Sequence, residues 1–127
     1  MVPKELMVDA FNDSVETNLR TELREEVLGF LFTPDQPDQR YPLFLGDNTV
    51  GVGDKNDIVV TGNAISWNHA IVIGRGSEIL IQDSASTNGT FLNGLRVERP
   101  HRLRNGDLVR LGNVDFSVWL RPDLRES

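Results

Sequence analysis

The chain has 127 residues, 39% of them hydrophobic and 25% charged, with no cysteine and a formal net charge of −6. That length suits one domain with its own core, and no apolar run approaches the roughly 20 residues that a membrane-spanning helix needs. Absent cysteine excludes disulfides and thiol chemistry and points to an intracellular setting, two histidines are too few for a zinc site, and an excess of acid opposes binding to a nucleic-acid backbone.

Residues 1–26 carry seven acidic and three basic side chains, which is −4 of the total charge. They lack the basic start and apolar run of a secretory signal. Val8, Phe11, Val15, Leu19 and Leu23 recur at spacings of three and four, the pattern of one helix face. Two readings stay open for this leader. It is a disordered acidic segment, or it is an amphipathic helix that docks on its own domain or on a second chain, since an isolated helix of this length is marginal.

From residue 27 the texture changes to short β-rich runs: VLGFLFT (27–33), YPLFL (41–45), TVGV (49–52), DIVV (57–60), HAIVIG (69–74), EILIQD (78–83), GTFLNG (89–94), DLVRLG (107–112) and VDFSVWL (114–120). Between them stand PDQPDQ, GD, GDKN, GRGS, NG and RNGD, all turns by composition. The most basic stretch, RVERPHRLR (96–104), reads as a solvated hairpin. Many short, closely spaced strands with no helical interruption predict an all-β sandwich over 27–121, its recognition loops gathered at one end, followed by a tail at 122–127.

Catalysis finds no support in the residues. Ser66 and His69 invite comparison with a nucleophile and its base, but on an extended segment residues three apart face opposite sides unless a turn intervenes. No glycine-flanked serine elbow is present, and GVGDKN lacks the order of a nucleotide phosphate loop. No cofactor, metal ion or small-molecule substrate is expected. What remains is a group of hydroxyl and amide side chains on loops: Ser66, Thr87, Asn88 and Asn93. Such groups can hold a phosphate oxygen and the main chain of an extended peptide. Taken alone, the two asparagines suit turn shaping at least as well.

From about residue 27 to 120 the order of motifs resembles the forkhead-associated (FHA) domain. Its pattern is Gly-Arg after an early strand, then Ser-x-x-His, then Asn-Gly-Thr with a following Asn-Gly. This chain has Val50-Gly51-Val52, then Ser66-Trp67-Asn68-His69, then Thr87-Asn88-Gly89-Thr90 and Asn93-Gly94. The resemblance implies an eleven-stranded β-sandwich and recognition of phosphothreonine in a partner protein. It assigns Ser66 to the phosphate, Thr87 and Asn88 to the phosphothreonine and the peptide main chain, Gly51 to the glycine of Gly-Arg, and His69 and Asn93 to structural roles.

The arginine of Gly-Arg is missing, because Val52 stands in its place. Arginine meets a doubly charged phosphate with a planar fork of donors, an interaction of roughly 1.5–3 kcal/mol. Lys55, in the same loop, is a flexible point charge without that geometry. Trp67, at a position close to the phosphopeptide in the family, makes the anion site more apolar still. The main expectation is therefore a degenerate phosphate pocket in a module that acts by self-association as a homodimer. The alternative is a working phosphothreonine reader that uses Ser66, Thr87, Asn88 and Lys55. On two segments, YPLFLGDNTVGVG and PHRLRNGDLVRLGNVDFSVWL, the chain is similar to FHA domains of DNA-damage checkpoint mediators and insect Mutator adaptors. That narrower resemblance implies a nuclear adaptor on damaged chromosomes or telomeres.

Overall fold

The computed structural model describes residues 26–124. The expected leader helix lies outside the described residues. Within them are eleven strands: β1 Gly29–Thr33, β2 Gln36–Leu43, β3 Gly46–Gly51, β4 Ile58–Val59, β5 Ala70–Gly74, β6 Ile79–Asp83, β7 Thr90–Leu92, β8 Leu95–Arg96, β9 His101–Arg102, β10 Leu108–Leu111 and β11 Val114–Leu120. A single 3-10 turn, Pro122–Leu124, follows them.

The strands form two sheets, one of six in the order β2-β1-β11-β10-β7-β8 and one of five in the order β4-β3-β5-β6-β9. All pairs are antiparallel except β3 with β4. Side chains alternate between faces along a strand, and the inner faces of both sheets make one core. Leu31, Val109, Phe116 and Val118 come from the larger sheet, and Val50, Val72, Ile79 and Ile81 from the smaller. Each is almost wholly buried. At about 1.5–3 kcal/mol for each fully buried aliphatic or aromatic side chain, this core is the main stabilising term.

Three segments depart from expectation. PDQPDQ at 34–39 turns only at Pro34 and Asp35, and from Gln36 it already belongs to β2. β2 is an edge strand, where a proline removes no ladder hydrogen bond, so Pro37 and Pro42 are tolerated. Residues 96–104 do not form a hairpin. Arg96 pairs with Phe91 in one sheet and Arg102 with Leu80 in the other, so this stretch carries the chain across the sandwich. Leu124 is buried in the core, so packing extends three residues past the boundary expected at 121.

Candidate functional site

The connections β3–β4, β4–β5 and β6–β7 meet at one end of the sandwich and bond to one another. Val52 N donates to Ser66 O at 3.1 Å and Gly53 N to Trp67 O at 3.0 Å. Gly51 has to be glycine for this approach, because a Cβ there would collide with the Trp67 carbonyl. Asn56, nearly buried, donates from Nδ2 to Gly53 O at 2.9 Å and to Trp67 O at 2.7 Å, which closes the β3–β4 loop onto its neighbour.

His69 is fully buried at 0% exposure. Its Nδ1 accepts from the Ser66 amide at 3.0 Å, and its Nε2 bonds the Gly89 carbonyl at 2.9 Å. An accepting Nδ1 fixes the neutral tautomer with the proton on Nε2. A turn does intervene between Ser66 and His69, yet the ring holds the serine's backbone, not its hydroxyl. Both ring nitrogens are spent on main-chain groups of two loops. The imidazole is therefore a brace and does not activate Ser66 as a nucleophile.

Ser66 Oγ accepts from the Thr87 amide at 3.0 Å, and Asn88 Nδ2 donates to Ala64 O at 3.0 Å. Ser66, Thr87 and Asn88 thus come together across two loops, with Thr87 and Asn88 exposed. Ser66 keeps its hydroxyl proton for an outside acceptor, and Thr87 keeps its whole side chain. Val52 is half-buried and packs on the core. Trp67 is 63% exposed, with its indole lying over Gly53, where a Cβ would strike the ring. Lys55 is exposed in the same loop. Asn93 stands apart from this cluster: it adopts φ +50°, donates to Asp107 Oδ1 at 2.9 Å and accepts from Leu108 N at 2.9 Å. It ties the β7–β8 turn to the start of β10.

Two residues that hold the loops were invisible to motif reasoning. Asn56 is one. Asp83 is the other: Oδ1 accepts from the hydroxyls of Ser86 and Thr90, each at 2.6 Å, and Oδ2 from the Ser86 amide at 3.0 Å. Burial pushes this carboxyl upward, but the three hydrogen bonds outweigh it and hold the group below the ordinary aspartate range. The spacing Asp83-x-x-Ser86, a short acceptor three residues before a donor, was the available signal.

Residues 48–112 match the FHA domain family. The chain belongs to the FHA family. Its fold is shared with a solved FHA domain from work on phosphothreonine-dependent FHA interactions, at TM-score 0.70 and 29% identity over 75% of this chain and 98% of that one. It is also shared with the FhaA FHA domain solved in complex with the intracellular domain of Rv3910, at TM-score 0.66 and 30% identity over 71% and 98%. Among curated proteins, FhaB of Mycobacterium tuberculosis is 37% identical over 73 residues, 58% of this chain and 46% of that protein. The transporter protein Rv1747 of the same organism is 39% identical over 67 residues, 53% of this chain and 8% of that one. The chain thus spans under half the length of these relatives. FHA domains are interaction modules, and the bonds at Ser66 and His69 fit that class.

Proposed function

We infer that this FHA domain is a non-catalytic protein-interaction module that binds an extended peptide across Ser66, Thr87 and Asn88, with weak recognition of phosphate. One observation carries this reading: the hydrogen bonds that preorganise the loops are all in place, from Ser66 Oγ to Thr87 N and through His69 to Gly89, while Val52 and Trp67 occupy the cation's surroundings. Solved relatives are described with phosphothreonine-dependent interactions, which supports a peptide as the ligand. A lost charge-assisted fork lowers affinity for a phosphopeptide by roughly one to two decades.

Titration with matched phosphothreonine and unmodified peptides tests the proposal. Val52→Arg should raise phosphopeptide affinity about ten- to a hundredfold and leave the unmodified peptide unchanged. Ser66→Ala should erase the remaining preference for phosphate. A wild type with no preference to erase, together with no gain from Val52→Arg, would remove the phosphothreonine reading.

A second reading rests on Trp67. A large exposed indole beside an apolar Val52 suits packing against protein, which supports self-association as a homodimer. The narrower resemblance to adaptors of chromosome breaks and telomeres would give such a dimer a nuclear role in the DNA-damage response, while the curated relatives described above are mycobacterial proteins. Sedimentation decides between the readings: a micromolar dimer weakened by Trp67→Ala supports self-association, and a monomer at every concentration removes it.

A further inference from the structure

The most basic stretch of the chain lies outside the Ser66, Thr87 and Asn88 loops. Residues 96–104 hold Arg96, Arg99, Arg102 and Arg104 against the single acid Glu98, in a chain whose net charge is −6. Arg102 stands in β9 and Arg104 just past it, at the end of the sandwich away from the recognition loops. Both line a depression of about 510 Å³, together with Trp119, Arg121 and Leu124. Arg121 is paired with Glu26. Arg102 and Arg104 enter no ion pair among the described residues. Asp107 does not neutralise them, because it spends its two oxygens on the Arg104 amide and on Asn93.

Beside these guanidinium groups is an aromatic recess. Phe30, Phe32, Pro37, Arg40 and Trp119 enclose about 260 Å³ on the outer face of the six-stranded sheet, and Trp119 lines both depressions. Trp119 is 40% exposed, its ring 5.9 Å from that of Phe30, and the Arg40 guanidinium stands 5.8 Å from the centre of the Phe30 ring. The recess is smaller than the roughly 300–1,000 Å³ of sites that enclose a small molecule, and it suits one apolar side chain. Exposed tryptophan next to arginine is the composition of anchor points at protein interfaces. Unpartnered guanidinium groups in an acidic chain select carboxylates, which they can bind with two parallel hydrogen bonds. Nucleic acid is a poorer occupant, since tight backbone binding takes about six to ten phosphate contacts and the rest of the chain repels a polyanion.

We propose that this end of the domain is a second peptide-binding surface, for a partner segment that is acidic and carries one aromatic or large aliphatic side chain. That side chain enters the recess between Phe30, Phe32 and Trp119, and the carboxylates beside it pair with Arg40, Arg102 and Arg104. The Ser66, Thr87 and Asn88 loops stay open at the other end, so one domain holds two partner segments at once.

The two tryptophans report on the two ends through their indole N–H resonances. The probe is a heptapeptide of glutamates around one central phenylalanine, titrated into the full chain. It should shift the Trp119 resonance and leave Trp67 in place, with a dissociation constant on the order of 10–100 μM. Arg102→Glu with Arg104→Glu should weaken binding about tenfold or more, with the Trp67 resonance at its wild-type position as the sign of an intact fold. Arg40→Glu, on the exposed edge strand β2, should act in the same direction, and about 0.5 M salt should weaken binding several-fold. Replacing the central phenylalanine of the probe by alanine should cost about tenfold. No shift at Trp119 with millimolar peptide, or a shift at Trp67 instead, would overturn the proposal. So would unchanged binding by the arginine variants, or equal affinity for an all-glutamate peptide or a single-stranded oligonucleotide, because the surface would then be a general polyanion site or none.

Discussion

The two ends of the sandwich are fixed by the same means and differ in charge. At the recognition end, the side chains of Asn56, Ser66, His69, Asp83 and Asn88 bond to the backbone of adjacent loops. At the opposite end, backbone pairs join Leu103 N to Ile79 O, Gly106 N to Val118 O and Arg121 N to Leu28 O, and side chains again hold the turns: Asn48 Nδ2 donates to Phe44 O and Val72 O, Asp107 Oδ2 accepts from Arg104 N, Asn93 Oδ1 from Leu108 N and Asn105 Oδ1 from Leu120 N. Turn backbone groups that cannot all pair with each other take side-chain partners at either end. The distribution of cations is what differs. Arginines gather at the opposite end, and the recognition loops contain Lys55 and no arginine. Loop order at this site is therefore independent of the charge that would attract a phosphate. The two properties can be changed separately.

The largest expected effect comes from removing the brace. His69→Ala would leave the Ser66 amide without its partner, leave the Gly89 carbonyl with only its bond from Gly112 N, and open a cavity, a loss of about 2–4 kcal/mol in urea unfolding. A loss under about 1 kcal/mol would show that the loops hold themselves. Asp83→Asn should cost about 1–2 kcal/mol at neutral pH, because a charged acceptor of three hydrogen bonds becomes a neutral one. The folded carboxyl sits below its ordinary value, so its contribution is present above the unfolded value near pH 3.9 and is lost as pH falls through the folded one. Wild type and variant should converge in stability on acidification below that range, and a difference that stays constant would assign the effect to shape and not to charge.

Smaller effects sharpen the same contrast. Ala85, in the loop after β6, adopts φ +57°, a left-handed conformation unfavourable for a residue with a Cβ. Ala85→Gly should relieve that strain, and the greater freedom of glycine when unfolded offsets part of the gain, leaving about 0.5–1 kcal/mol of stabilisation. Trp67→Ala should shift stability by less than about 0.5 kcal/mol, since an exposed ring resting on Gly53 contributes little to the core. A cost above about 1 kcal/mol would mean that the indole helps hold the β3–β4 loop.

The rhythm of the core strands was legible because burial imposes alternation. VDFSVWL at 114–120 coincides with β11, where Phe116, Val118 and Leu120 point inward. Residues 36–40 were missed because a fully exposed edge strand has no buried face to leave a pattern. Residues 96–104 were misread for a related reason: β8 and β9 are two residues each, too short for a period. At the site, Gly51, Ser66, His69, Thr87 and Asn88 could be picked out by motif spacing. The bond from Asn56 to Trp67 spans eleven positions and two loops, so nothing local marks it. Position 52 was readable as a missing arginine, while the packing of Val52 on the core became visible only in three dimensions.

The pairing of Gly29 with Leu120, and the ion pair of Glu26 with Arg121 beside it, place entry and exit of the chain side by side at the end away from Ser66 and Thr87. Such a unit behaves as a plug-in cassette. It can be spliced into a surface turn of a host protein without prising the host's own strands apart, because the two splice points need only a narrow gap. By the same geometry a short linker could fuse the two ends while a new opening is cut at the exposed Arg75–Gly76 tip, giving a circularly permuted domain with its peptide-facing loops untouched.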